Sequence, residues 1–392
     1  MFAPRVHAVA LAIFIAGARA GAGESDPSPS QVQAAPQSFT DSAAPLGLRT
    51  QGTLRELFLD VTGADARAVT RPEFEMRYTV SNVWNEPMQL ARHGDSAVQG
   101  LDEQADALGL KLRLPWSALF GAGPGDALPG SPRPLFQRLS TALEVKATEH
   151  WGGWSDPAIE AWHSLIGSFN FNRHQHPRNR IRLQYADSGG TAFNFDRPRF
   201  AFGDVVLRTQ LLLVEDAASR AGLSARFDLK LPTGSLSSAG GSGGTDAGIA
   251  LLGTARVSDA ITLHGFVAFA HFSPLDAPVL LQVKPWHFSA EGSAIFAAGP
   301  VQLLLEDRIS SALLQPGWNR LEAGGDNGLL SSGYFASFRP HNQISWALRF
   351  DGFALWLSED FTPGSNPRSK ITVYYESNSP DVTLGASWTH SI

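Results

Sequence analysis

The feature that most constrains the fold is a regular alternation of apolar and polar residues in short segments along most of the chain. In the clearest segment, 221–231, Phe227 and Leu229 fall on one face while Arg226 and Lys230 fall on the other. Successive side chains of a β-strand point to opposite sides, so this pattern predicts strands with one apolar and one polar face. Similar alternation over 73–80, 108–114, 301–308, 344–350 and 382–389 predicts an all-β chain.

Composition excludes several classes of protein. The 392 residues contain no cysteine, which excludes disulfide scaffolds, thiolate zinc sites and cysteine nucleophiles. The net charge of −6, with acids and bases mixed along the chain, argues against a nucleic-acid partner, because such binders need a concentrated basic face. We predict no cofactor and no metal.

The N-terminus has the features of a secretory signal peptide over residues 1–20. A positive residue, Arg5, precedes an apolar stretch, and Ala18 and Ala20 form a small-x-small cleavage site. Residues 21–44 are rich in Ser, Pro, Gln and Ala and are predicted to be a flexible periplasmic leader. An exported chain without cysteine fits the envelope of a Gram-negative cell, and residues 45–392 form its single folded domain.

Two architectures bury one face of many antiparallel strands, a soluble sandwich and a transmembrane barrel. The segments suit the roughly 9–11 residues that a tilted strand needs to cross a bilayer. A lysine or arginine facing lipid at the bilayer midplane costs about 2–4 kcal/mol, so Arg226 and Lys230 must face the inside of a barrel. We therefore predict an antiparallel transmembrane β-barrel in the outer membrane, with both termini on the periplasmic side and lipid around it.

The length of the chain predicts about 14 strands, within a range of about 12 to 16. One short helix, 156–167, is predicted inside a long connection, because Asp156 and Pro157 suit its start and Gly167 its end. Trp162 and His163 on this helix are predicted to lie at the barrel mouth. Three strands between this helix and the glycine-rich run 240–244 would place the two on opposite sides of the membrane, and four would place them on the same side.

Several motifs resemble a family of proteobacterial outer-membrane barrels known only as a domain of unknown function. The most distinctive is GGWSDPAIEAWHSLIG (152–167), and KLPTG (230–234) followed by GTD (244–246) also resembles barrels encoded with aromatic-degradation pathways, thought to pass hydrophobic solutes. The other resembling pieces are PLGLRTQ (45–51), YTVSN (78–82), FGDVVL (202–207), LSED (357–360) and SPDVTLGASW (379–388). The resemblance implies a fold and a location, and it assigns no activity.

The chain departs from that family in three places. Residues 117–134 look like an insertion, and about 18 residues separate LSED from SPDV. The last residue is Ile392, where the signal for the barrel-assembly machinery usually ends in Phe or Trp. The spacing of Thr383, Gly385 and Trp388 still resembles that signal, so we expect the assembly machinery to bind the C-terminal strand.

The best candidates for function are the charged residues on the predicted interior face. They would either line a pore that selects solutes by charge or form a paired polar plug that only stabilises the barrel. The candidates are Glu73, Glu75, Arg77, Arg226, Asp228, Lys230, Glu306, Arg308 and Arg349.

Catalytic and metal sites are not predicted. His174 and His176 share one side of an extended segment, but no acid stands at ligand spacing beside them. His163 and Ser164 are adjacent on the helix, so they cannot act on each other as base and nucleophile. The sequence therefore predicts a passive channel or binding barrel for small solutes, including hydrophobic ones. The alternatives are a lipid-modifying hydrolase and a structural envelope protein with a plugged barrel.

Overall fold

The computed structural model describes most of the chain from Ala44 onward. The described residues are 44–45, 53–92, 94–120, 134–166, 177–216, 220–280, 282–299, 301–315, 319–321, 341–350, 353–365, 373–376 and 382–391.

Strands dominate these residues. They are β1 (Glu73–Arg92), β2 (Asp95–Pro115), β3 (Leu139–Trp151), β4 (Arg182–Asp187), β5 (Gly190–Phe195), β6 (Arg199–Phe202), β7 (Val205–Glu215), β8 (Ala221–Leu231), β9 (Asp246–Arg256), β10 (Ile261–His271), β11 (Trp286–Ala298), β12 (Val301–Ser310), β13 (Asn319–Leu321), β14 (His341–Phe350), β15 (Phe353–Ser365), β16 (Val373–Glu376) and β17 (Val382–Ser391). The helices are short: α1 (Thr53–Glu56), α2 (Trp116–Leu119), α3 (Leu135–Arg138) and α4 (Asp156–Ile166). None of the helices within the described ranges is long and apolar enough to cross a membrane.

Twelve of the described strands close into a ring in which every neighbour is antiparallel. The ring runs β1, β2, β3, β7, β8, β9, β10, β11, β12, β14, β15, β17 and back to β1. The closing pair is in register from Glu73 opposite Ser391 to Asn82 opposite Val382. This confirms the predicted all-β antiparallel barrel, and closure removes the free sheet edges that an open sheet would expose.

The ring has fewer strands than the central estimate of 14 because some short strands and residues 53–72 lie outside it. The short strands β4, β6, β13 and β16 pair with ring strands without becoming part of the ring, and β5 pairs with β4. Residues 53–72 enter none of the described strand pairings, although the sequence analysis included them in the barrel domain. The twelve strands remain within the predicted range.

The two ends of the barrel differ. β1 begins and β17 ends at one end, which we call the termini end; the connections after β3, β8, β10 and β12 lie at the other, the loop end. Only two ring strands, β7 and β8, separate α4 from the glycine-rich run, and an even number returns the chain to the same end. Both features therefore lie at the loop end.

The faces of the strands follow the predicted alternation. On β8, Arg226 and Lys230 are buried, whereas Phe227 is 47% exposed on the opposite face. On β14, Trp346 and Leu348 are exposed while Arg349 is buried. A soluble sandwich would bury those apolar residues, whereas this barrel exposes its apolar face and turns its charged face inward, as the sequence predicts.

Candidate functional site in the barrel interior

The interior of the barrel holds part of the chain itself. Residues 53–72, which we call the luminal segment, precede β1 and contribute buried side chains such as Leu57, Phe58 and Val61. Three inward side chains of β8 mark its course. Lys230 donates to the carbonyl of Leu57 at 3.1 Å, Arg226 to that of Thr62 at 2.6 Å, and Ser224 to that of Ala66 at 2.5 Å. Because β8 ends at the loop end, the segment descends from the loop end to the termini end.

Other ring strands bind the same segment in the same way. Their inward side chains donate to main-chain carbonyls. Arg208 donates to Asp60 (2.9 Å), Arg308 to Val61 (3.0 Å), Gln210 to Asp65 (2.8 Å), and Arg349 to Ala44 (2.8 Å), which lies just upstream of the segment. A carbonyl is present whatever the side chain, so this recognition depends little on the segment's sequence.

The wall also accepts hydrogen bonds from the segment. The backbone N–H of Leu59 donates to Asp246 at 2.9 Å, and that of Ala66 donates to Thr254 at 2.9 Å. The extended backbone is therefore bonded through both its donors and its acceptors. Buried backbone groups need such partners, since leaving one unpaired costs about 1–3 kcal/mol.

Ion pairs link the wall to itself and to the segment. Arg208 bonds Glu144 at 2.8 Å and Asp228 at 2.5 Å, and Arg226 bonds Asp228 at 2.8 Å. Arg308 pairs with the carboxylate of Asp60 on the segment. Buried charges of this kind are tolerated because they are paired, and removing one partner leaves the other uncompensated.

Lys230 joins the two motifs KLPTG and GTD. Its ammonium lies 2.7 Å from Asp204, 3.2 Å from Asp246 and 2.7 Å from the hydroxyl of Ser242. It also bonds the carbonyl of Gly244 at 3.0 Å. The same nitrogen therefore binds both the glycine-rich run and the loop-end part of the luminal segment to β8.

All nine predicted interior residues lie on the inward face of their strands. Arg226, Lys230, Arg308 and Arg349 contact the luminal segment or Ala44 directly. Three others pair along the wall near the termini end: Arg77 with Glu75 at 2.5 Å, and Arg113 with Glu73 at 3.6 Å. Their role in lining an open pore stays a prediction.

Several residues of this interior were missed by the sequence analysis. Arg208, Gln210 and Asp246 occupy inward positions of β7 and β9, and their alternation with apolar neighbours would have identified them. The luminal segment itself was missed because it lacks that alternation.

An apolar cluster fills the loop end of the interior. Phe58 of the luminal segment stacks on Phe272 with ring centroids 5.1 Å apart. Tyr185 and Phe193 stack at 5.8 Å on β4 and β5, and both are fully buried. The loop-end part of the segment thus lies against aromatic side chains as well as against Lys230, and Arg226 contacts it farther toward the termini end.

Within the described ranges, no group of three or more His, Cys, Asp or Glu residues is placed to hold a metal ion. His150 is buried with its Nδ1 2.7 Å from Glu103. His174 and His176 lie outside the described residues, as do the side chains of Trp162 and His163.

A family model described as "Protein of unknown function (DUF3187)" matches residues 130–319. The most distinctive resembling motif, 152–167, lies inside this match, as do 230–234 and 244–246, which confirms the resemblance to a family of unknown function. No curated protein matches the chain.

Solved structures similar to this chain include outer-membrane channels. The COG4313 outer membrane channel from Pseudomonas putida F1 is 10% identical, with 84% of this chain and 100% of that chain covered and a TM-score of 0.45. The Pseudomonas putida toluene transporter TodX is 9% identical over 87% and 98% of the two chains, with a TM-score of 0.33. CymD, described as a monoaromatic hydrocarbon channel, is 10% identical over 82% and 88%, with a TM-score of 0.31. At such identities and scores, the function has to be inferred from the interior of this chain.

Proposed function

We propose that the chain is a Gram-negative outer-membrane channel for small solutes, and that its luminal segment closes the channel at rest. The observation that carries the proposal is that the segment occupies the interior without belonging to the described sheet. It is bonded to the wall by side chains such as Lys230, Arg226 and Arg308. It can therefore leave the interior while the ring stays closed.

The outer surface supports the location. Exposed apolar side chains cover the outward face of the ring strands, including Phe227, Leu251, Leu348 and Phe269. A signal peptide over residues 1–20, removed on export, would bring the chain to the assembly machinery that inserts such barrels.

The apolar cluster at the loop end favours hydrophobic solutes. Once the luminal segment, with Phe58, has left the interior, a solute at the loop end contacts Tyr185, Phe193 and Phe272. Sites for small molecules are lined mainly by such side chains, with few polar groups. Aromatic or aliphatic solutes are therefore the class we expect to bind first.

A disulfide lock tests the gate. A Cβ placed at Gly248 would lie 2.8 Å from a methyl carbon of Val61, so cysteines at both positions can reach the separation of about 3.5–4.5 Å between Cβ atoms that a disulfide needs. The chain has no other cysteine. In planar bilayers, Val61→Cys/Gly248→Cys should be silent when oxidised and should show conductance steps after reduction.

The control is Val61→Cys alone under the same oxidant, which should conduct in both states. Equal conductance of the oxidised and the reduced double variant would contradict the gate, because solutes would then pass beside the segment. Silence of the reduced double variant and of the control would favour the second candidate, a plugged structural barrel. The many bonds that hold the segment are the observation in that candidate's favour.

A further inference from the structure

Residues 152–166, the part of the motif GGWSDPAIEAWHSLIG that the structure describes, lie on the outside of the barrel, away from the interior just described. On β1 and β2, the outward positions above the apolar side chains of Tyr78 and Leu108 are taken by Asn82 and Gln104. These two polar residues are 1% and 0% exposed, because the start of the motif covers them. The motif therefore stands on the outer wall, just beyond its apolar part.

Hydrogen bonds fix the start of α4 to that wall. Asn82 donates to the Ser155 hydroxyl and to the Asp156 carboxylate, each at 2.9 Å. Gln104 accepts from the Ser155 hydroxyl at 2.8 Å. The other carboxylate oxygen of Asp156 accepts from the backbone of Asn179 at 2.7 Å, which brings the segment after α4 to the same place.

Among the side chains of α4 that the structure describes, none of the exposed ones is charged. Its exposed residues are Pro157, Ala158, Ala161, Ser164 and Leu165. Leu165 is 78% exposed, and Trp154 just before the helix is 53% exposed. A helix facing water normally presents charged residues on its outer side, so this face is unusual for a solvated surface.

Basic residues flank this face. Arg178, Asn179 and Arg180 are all exposed. Arg178 bonds Glu160 of α4 at 2.6 Å, and this hydrogen bond raises the pKa of Arg178 above its usual value, so it stays cationic. An apolar helix face beside basic side chains is the pattern of segments that lie in the interface of a membrane.

We propose that α4, with Trp154, Arg178 and Arg180, is a docking site for anionic lipid in the leaflet at the loop end. The uncharged face contacts acyl chains at their upper boundary, and the two guanidinium groups bind lipid phosphates. The proposal rests on the membrane location given under the proposed function, because the helix continues the apolar outer wall upward. Charge complementarity and this continuity select lipid as the occupant.

The experiment uses the full chain with a single cysteine carrying an environment-sensitive fluorophore at Leu165→Cys. The protein is reconstituted in phosphatidylcholine vesicles with increasing fractions of brominated phosphatidylglycerol. We expect a blue-shifted emission that the brominated lipid quenches. Ser237→Cys, exposed on the glycine-rich connection at the same end, is the matched control and should be neither shifted nor quenched.

The role of the basic residues is tested in the same vesicles. Arg180→Gln keeps the pair between Arg178 and Glu160, and the fraction of brominated lipid for half-maximal quenching should rise about fivefold. Arg178→Gln/Arg180→Gln should raise it further, while the conductance stays as in the parent. An unchanged quenching curve in both variants would overturn the binding of lipid phosphate.

A third position separates this inference from the proposed function. A fluorophore at Phe227→Cys, on the outward face of β8, should be quenched if the barrel spans the bilayer. Quenching at Phe227→Cys with a water-like probe at Leu165→Cys overturns the docking site alone. Water-like probes at both positions overturn the membrane location as well, and with it the docking site.

Discussion

At the scale of single residues, Lys230 is where the interior contacts converge. Its ammonium bonds two carboxylates, a hydroxyl and two carbonyls, and the side chain is 1% exposed. A buried lysine costs a large desolvation energy, which here is offset by Asp204 and Asp246. The stability of this corner of the barrel therefore depends on the lysine and the two acids being present together.

Replacing Lys230 by methionine should lower the free energy of unfolding by about 3–5 kcal/mol, because two buried carboxylates lose their counter-charge. The measurement is urea unfolding in vesicles. Arg256→Met is the matched control: its pair with Asp259 at 3.2 Å is exposed on the Asp259 side, and its loss should cost less than about 1 kcal/mol. Equal losses in the two variants would show that the acids around Lys230 find other partners.

At the scale of elements, the direction in which the strand side chains point could be predicted from the sequence, but the role of each short strand could not. The inward direction of Arg226, Lys230 and Arg349 follows from the cost of placing a charge in lipid, so the sequence alone predicts it. The twelve-stranded ring falls inside the predicted range, but β4, β5 and β6 could not be told from ring strands, since short alternating segments look alike whether or not they close the barrel.

The luminal segment could not be foreseen for a different reason. Most of its bonds to the wall use its main-chain atoms, such as the carbonyls of Leu57, Asp60 and Thr62. Every sequence has these atoms, so the recognition leaves little trace in the choice of side chains. The trace in the sequence lies in the wall instead. Inward side chains such as Arg208 and Gln210 donate hydrogen bonds to the segment in addition to those that they make with other strands.

The outward face of each strand makes a depth-dependent prediction. Leu251 lies midway along β9 and is 44% exposed, and Ala255 lies on the same face near the termini end. Leu251→Arg should cost about 2–4 kcal/mol of stability in bilayers, while Ala255→Arg should cost about 0–1 kcal/mol, because lipid is least polar at its centre. Unfolding in vesicles measures both. Two equally small costs would mean that water, rather than lipid, covers this face.

At the scale of the whole molecule, the parity of the strands gives the barrel two different sides. The long connections, α4 and the glycine-rich run share the loop end, and the start of β1 and the end of β17 lie at the opposite, termini end. If the termini end faces the periplasm, as we predict from the sequence, the loop end faces the outside of the cell. Under the two proposals above, the apolar cluster would then receive solutes from the medium, and α4 would meet the outer leaflet.

Labelling on whole cells checks this orientation. Ser237→Cys at the loop end should react with a membrane-impermeant maleimide on intact cells. Asp259→Cys, in the turn between β9 and β10 at the termini end and with an 88% exposed side chain, should react only after the outer membrane is permeabilised. Labelling of Asp259→Cys but not of Ser237→Cys on intact cells would show the opposite orientation of the barrel. Labelling of both variants on intact cells would contradict insertion of the barrel in the membrane.

The pairing of β1 with β17 also determines the order of assembly. The seam of the ring joins its first and last strands, so the wall cannot be completed until Val382–Ser391 has been delivered. Residues 53–72 precede every strand of the wall in the chain, so they must already lie inside, or be drawn in, when the seam forms. A chain that ends before Val382 would lack β17, and the facing edges of β1 and β15 would stay unpaired. Such an open sheet could not enclose the luminal segment.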